Sequence, residues 1–188
     1  MTHANNTYNV PYRRKREGRT NYKKRLKLLL SGKTRLVVRK SLQGTYAAMV
    51  QYGEQGDKTV VAASPQELRK IGWQFGCGNV PSAYLVGLLL GQKAKKAGVK
   101  EAILDSGLHN PVKKSRVYAA LAGVIDAGVS VPHSAEVLPQ KDRLEGKHIV
   151  AYAAQSPEGG QFSLYKKHGA DAIVTQVSQL KEKILRGN

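Results

Sequence analysis

Residues 35–63 read RLVVRKSLQGTYAAMVQYGEQGDKTVVAA, and their punctuation decides the fold class. Three segments rich in β-branched residues, Arg35–Leu42, Thr45–Tyr52 and Lys58–Ala63, are parted by Gln43-Gly44 and by Gly53-Glu54-Gln55-Gly56-Asp57. Links this short and turn-rich predict antiparallel strands in a meander. Alternation sets Leu36, Val38 and Leu42 on one face of the first strand, with Arg35 and Arg39 on the other. One sheet face is therefore apolar and the other partly basic.

Downstream, the pattern changes to helices. Ser64-Pro65-Gln66-Glu67 reads as a capping box with proline at the first helical position. That helix breaks near Gly76-Cys77-Gly78, and a longer one follows from Pro81 or Ser82 to Ala97, stopped by Gly98. Val99–Asp105 is a buried-strand candidate. A loop over 106–114 leads to a helix over Ser115–Ala127, Gly128 stops it, and Val129–Val131 is a further short strand. The passages Ala97-Gly98-Val99 and Ala127-Gly128-Val129 repeat a helix-to-strand crossover, which implies parallel pairing. The fold class expected is α/β: one mixed sheet, an antiparallel three-strand meander followed by parallel α/β units, with helices on its faces.

Upstream and beyond lie two extensions. Residues 1–31 form a basic tail with a short helix over Tyr22–Leu30, capped by Asn21, whose Leu26, Leu29 and Leu30 share one side. They would dock on the body while Lys23, Lys24 and Lys27 face outward. Residues 32–132 form the core domain. Residues 133–188 form an appendage: His133–Arg143 irregular, Gly146–Ala154 and Ala172–Arg186 helical, with Ser156-Pro157-Glu158-Gly159-Gly160 a loop between them.

The chain of 188 residues carries 31 Lys and Arg against 13 Asp and Glu, a formal net charge of +18, while 41% hydrophobic content excludes a wholly disordered polycation. Cys77 is the lone cysteine, so no intrachain disulfide can form. Ala83–Gly91 is too short an apolar stretch to span a bilayer, and the first thirty residues carry charge without an apolar h-region. A cytoplasmic protein is expected. Residues 1–40 account for +12 of the excess. The densest part, Arg13-Arg14-Lys15-Arg16-Glu17-Gly18-Arg19 and then Lys23-Lys24-Arg25 with Lys27, repels itself and should be extended or loosely ordered until a polyanion neutralises it. Tyr8, Tyr12 and Tyr22 are interleaved with it. Guanidinium forks bind phosphate bidentately and tyrosines stack on bases, so nucleic acid is the favoured partner.

Other chemistry finds little support. Ser31-Gly32-Lys33-Thr34 resembles the end of a P-loop, but Lys27 stands where the pattern needs glycine, and the segment precedes a strand. The five histidines show no metal-ligand spacing, and neither metal nor cofactor is expected. A ribonuclease-H-like nuclease shares the meander-then-α/β plan and is the enzyme alternative. It would need converging carboxylates, of which Asp105 alone is well placed, Asp126 and Asp171 being remote. A non-enzymatic protein is expected.

Four segments carry a family resemblance. Pro11 to Tyr22 (PYRRKREGRTNY), Arg35 to Ser41 (RLVVRKS), Gly78 to Leu85 (GNVPSAYL) and Gly128 to Ser134 (GVSVPHS) closely resemble, in that order, the archaeal form of ribosomal protein L-eighteen. The similarity runs from about Tyr8 to about Ala154. It implies a mixed α/β domain of the translational-machinery type in the large ribosomal subunit. There it would bind 5S rRNA and attach it to 23S rRNA beside ribosomal protein L five, with no membrane and no small-molecule substrate. The RNA-contacting residues so implied are Arg13, Arg14, Arg16, Arg19, Thr20, Tyr22, Lys23, Arg25 and Lys27, with Arg39 and Lys40 on the first strand. The charge reading adds Tyr12, Lys15 and Lys24, and the loop after the fourth strand adds Lys113, Lys114 and Arg116.

Overall fold

The structure, a computed structural model, describes residues 9–155, 165, 168–169 and 171–187. Tyr8 and the loop expected at 156–160 lie outside them. Along the chain come α1 (Arg13–Arg16), α2 (Tyr22–Leu29), β1 (Arg35–Lys40), β2 (Thr45–Gln51), β3 (Lys58–Ala63), α3 (Pro65–Ile71) and α4 (Val80–Lys96). β4 (Ile103–Asp105), α5 (Arg116–Asp126), a 3-10 turn at Ala135–Val137, α6 (Lys141–Glu145), α7 (Lys147–Gln155) and α8 (Ala172–Arg186) follow.

The expected mixed sheet is present. Its order is β3-β2-β1-β4, antiparallel through the meander and parallel between β1 and β4. The fifth strand expected over Val129–Val131 is reduced to one parallel bridge, Glu101 to Ser130, where Ala102 N–H donates to the Ser130 carbonyl and Ser130 N–H to Lys100. Gly128 ends a helix immediately before it, and Pro132 has no N–H to extend the ladder. β4 is correspondingly shorter than the 99–105 expected.

Leu36 and Val38 are fully buried with Ala47 and Met49 under α4 and α5, whereas Leu42 lies beyond the end of β1 and is 96% exposed. α4 is apolar almost all round because it is covered almost all round, by the sheet, α5 and α8. Its true cap is Asn79, whose side chain accepts from Ser82 N–H at 2.9 Å, so the helix starts earlier than Pro81. The α4–α5 crossing is close enough to need glycine. A Cβ at Gly123 would sit 2.6 Å from the Leu88 amide nitrogen and closer still to the Tyr84 carbonyl.

Three local expectations are corrected. Ser64 stands at the start of α3 but makes no side-chain cap: the Glu67 N–H donates to the Ser64 carbonyl instead, and the Glu67 side chain pairs with Lys93 of α4. Arg13–Arg16, expected extended or loosely ordered, form one helical turn. In α2 Leu26 and Leu30 point outward, 60% and 78% exposed, while Leu29 is half-buried as expected, together with Tyr22, Arg25 and Leu28. Among the described residues after 132, the buried ones of α8 join the existing core: Ile173, Val177, Leu180 and Ile184, spaced along one stripe of that helix.

Candidate nucleic-acid interface

The face of β1 opposite the core presents Arg35, Val37 and Arg39 by alternation. Arg35 is only 3% exposed, so its charge needs partners. Asp57, from the β2–β3 turn, lies 2.6 Å from its Nη2, and Asp105, at the end of β4, accepts from Nη1 at 3.1 Å. Arg39 reaches the other side of Asp105, donating through Nη1 to its carbonyl at 2.6 Å and through Nη2 to Oδ1 at 3.3 Å. Gly107 N–H donates to the same Oδ1 at 2.8 Å. From α2, Arg25 grips both oxygens of Asp57 at 2.8 Å each. The result is an alternating chain of charges, Arg25–Asp57–Arg35–Asp105–Arg39, running from the tail helix across the sheet. The Arg25 guanidinium holds the Asp57 carboxyl below the usual carboxylate range, against partial burial that raises it, and Arg35 adds to the lowering.

Other described residues of the tail fold over this face. Arg14 carbonyl accepts from Arg19 and Thr20 N–H groups, and Arg14 Nε donates to Thr20 Oγ1 at 3.1 Å, closing a loop that turns at Gly18 with φ +65°. Tyr12 and Tyr22 meet with ring centroids 5.1 Å apart. Lys24 Nζ donates to Ser106 Oγ and to the Gly107 carbonyl, tying α2 to the loop after β4. Between tail and sheet lies a cleft of about 630 Å³, lined by Arg14, Arg19, Thr20, Tyr22, Lys24, Arg25, Arg35 and Arg39, with Asp57 and Asp105 the acids among its walls.

Seven of the expected residues therefore converge on one cleft: Arg14, Arg19, Thr20, Tyr22, Lys24, Arg25 and Arg39. Arg13 pairs with Glu17. Lys15, Arg16, Lys23 and Lys27 are exposed around it and make no ion pair with other described residues. Lys40 and Arg116 belong to a second cluster at the end of β1, while Lys113 and Lys114, on the loop before α5, are tied to the 3-10 turn. Arg116 Nη1 donates to the Ser41 and Gly78 carbonyls at 2.9 and 3.0 Å, Lys113 pairs with Glu136, and Lys114 adopts φ +60°. Arg116 thus positions the β1–β2 turn. Asp57 and Arg35 were not among the expected site residues. Arg35 is readable as a basic residue on β1, but nothing in a glycine-bounded turn marks Asp57.

His109 fastens the second cluster, its Nε2 accepting the Lys40 N–H at 3.2 Å. Burial lowers its pKa, as do the nearby cations Lys40, Arg39 and Arg116. The neutral ring is the form the fold selects. The stability it contributes is complete above the ordinary histidine pKa and is lost as pH falls toward the lowered folded value. Hydrogen exchange of the Lys40 amide, corrected for intrinsic rate, should show protection at pH 7 that is lost as pH falls below the ordinary histidine pKa toward the lowered folded value. Unchanged protection would refute this role.

The nuclease alternative loses its best acid here. Asp105 is engaged by two guanidinium groups and a backbone N–H, and Asp126 accepts from the Tyr84 hydroxyl at 2.7 Å. Among the described residues no three potential metal ligands come together, and no helix is long and apolar enough to cross a membrane.

Comparison with known proteins agrees with this geometry. The family described as "Ribosomal large subunit proteins 60S L5, and 50S L18" matches residues 6–102, which hold the tail, the meander, α3, α4 and nearly all of the approach to β4. The "Large ribosomal subunit protein uL18" of Methanococcus maripaludis is 46% identical over 188 residues, covering 96% of this chain and 97% of that protein. A basic tail folded over the polar face of a mixed sheet, with likeness along nearly the whole length, places the chain in the family of ribosomal large-subunit proteins that comprises 60S L5 and 50S L18.

Proposed function

We propose that this ribosomal protein binds 5S rRNA through the tail and the cleft beneath it, and helps attach that RNA to 23S rRNA and to ribosomal protein L five within the cytoplasmic large subunit. The observation that carries the reading is the convergence of five arginines and Lys24 on a single cleft with only two acids among its walls. Arg14, Arg19 and the exposed lysines of α2 meet phosphate oxygens, and Tyr12 or Tyr22 offers a face for an unstacked base. The ionic chain below holds the platform rigid, so recognition reads the shape of the RNA more than its base edges. Lys113 and Lys114 supply a second, lesser contact from the loop before α5. The role is structural, with no reaction to catalyse.

Salt titration of binding to 5S rRNA tests this. Contact with about 6–10 phosphates costs about three to five decades of affinity between 50 and 200 mM salt. A flat response rules out the phosphate-bound tail.

A further inference from the structure

We infer that Asp57, an acidic residue in a basic interface, is the positioning residue that sets the tail in its RNA-ready place. The inference rests on the RNA-binding reading of the tail. α2 has eight residues, none fully buried, and its half-buried Tyr22, Leu28 and Leu29 give it only a shallow apolar footing, so neither intrinsic helix stability nor deep hydrophobic burial fixes it. What ties it to the body among the described residues is polar: Lys24 to Ser106 and Gly107, and above all the two-pronged bond of Arg25 to Asp57. Asp57 is itself fixed from behind by Arg35, which is buried and braced by Asp105. Both prongs of a bidentate pair must be satisfied at once, so the bond fixes direction as well as distance. Arg25 thereby sets the rotation of α2, turning Tyr22 and Leu28 inward and leaving Lys23 and Lys27 on the solvent side. Order established before binding need not be established during it, and affinity rises by that amount.

The sign of one substitution separates this role from simple electrostatics. Asp57→Asn adds a unit of positive charge, which by itself tightens binding to a polyanion. Glu54→Gln, in the same turn, adds the same charge at an exposed residue with no ion pair among those described, and supplies the baseline. The clasp requires Asp57→Asn to bind 5S rRNA about tenfold more weakly than Glu54→Gln. The salt slope should be unchanged, since the bound state touches the same phosphates. Hydrogen exchange of the free full-length protein should show α2 amides losing protection while α4 amides keep theirs. Asp57→Asn binding as tightly as Glu54→Gln overturns the inference, and so does unchanged protection of α2. Should the asparagine variant lose its fold, Asp57→Glu reads the same two quantities, because it keeps the charge on Arg35 while displacing the carboxylate. If the unmodified protein fails to bind 5S rRNA, the RNA reading falls on its own, and α2 protection still decides the clasp.

Discussion

Gly123→Ala should be among the most destabilising single-methyl changes in this protein. Intrinsic propensity points the other way, since alanine in a helix interior is favoured over glycine by about 1 kcal/mol. Packing reverses the sign. The added Cβ meets the Tyr84 carbonyl, the Leu88 amide nitrogen at 2.6 Å and the Gly87 carbonyl carbon at 3.0 Å, all backbone of α4. A side chain can rotate aside, but a helix backbone cannot. α4 and α5 must move apart, and every contact along their crossing weakens together. Overpacking ordinarily costs about 1–3 kcal/mol, and with backbone as the obstruction the upper end or beyond is expected. At about 2–4 °C per kcal/mol for a chain of this size, the midpoint falls by roughly 10 °C. Gly76→Ala, where an added Cβ meets nothing within 4 Å, is the matched control. Thermal melts in which both variants follow the wild type would show that the crossing is looser than described.

Removing residues 1–20 should abolish useful RNA affinity without unfolding the body. These residues carry Arg13, Arg14, Lys15, Arg16 and Arg19 against Glu17. They include Arg14 and Arg19 of the cleft, yet none of the described ones is buried. The cut spares Arg25 and its bond to Asp57, so α2 stays seated and Arg35 keeps both counterions. With about 0.7–0.9 of a counterion released per phosphate, losing roughly five contacts removes about three to four decades of 5S rRNA affinity near 0.1 M salt. The salt slope falls by about the same number. The melting midpoint should stay within a few degrees. A truncated protein that binds within tenfold of the full chain would move the site to the sheet and the 106–114 loop.

The sheet was legible because its signals are local. Alternation on β1, short glycine-bearing links and the stops at Gly98 and Gly128 each specify their own neighbourhood, and together they leave one arrangement of β1 to β4. That α8 is a helix was legible too, whereas the stripe by which it joins the core was not. What escaped depends on residues distant in sequence. Arg25 and Asp57 are 32 positions apart, and their bond ties α2 to the β2–β3 turn. The Glu67 side chain pairs with Lys93, 26 positions on. Val129–Val131 has strand composition, but the fixed breaks on either side leave room for a single bridge. For the interface, residue types and the tail were readable from composition, but their gathering around one cleft was not. It hangs on Asp105 and Asp57, acids that charge counting would set aside.

The contribution of α8 to the core has a temporal side. Roughly 140 residues separate the end of α2 from Ile173. At about 5–20 residues per second of synthesis, the cationic segment precedes the last piece of the hydrophobic interior by on the order of ten seconds. During that interval the newborn polypeptide displays its full positive charge beside a body still open to solvent. Whatever polyanion meets it first does so before the scaffold that confers discrimination has closed.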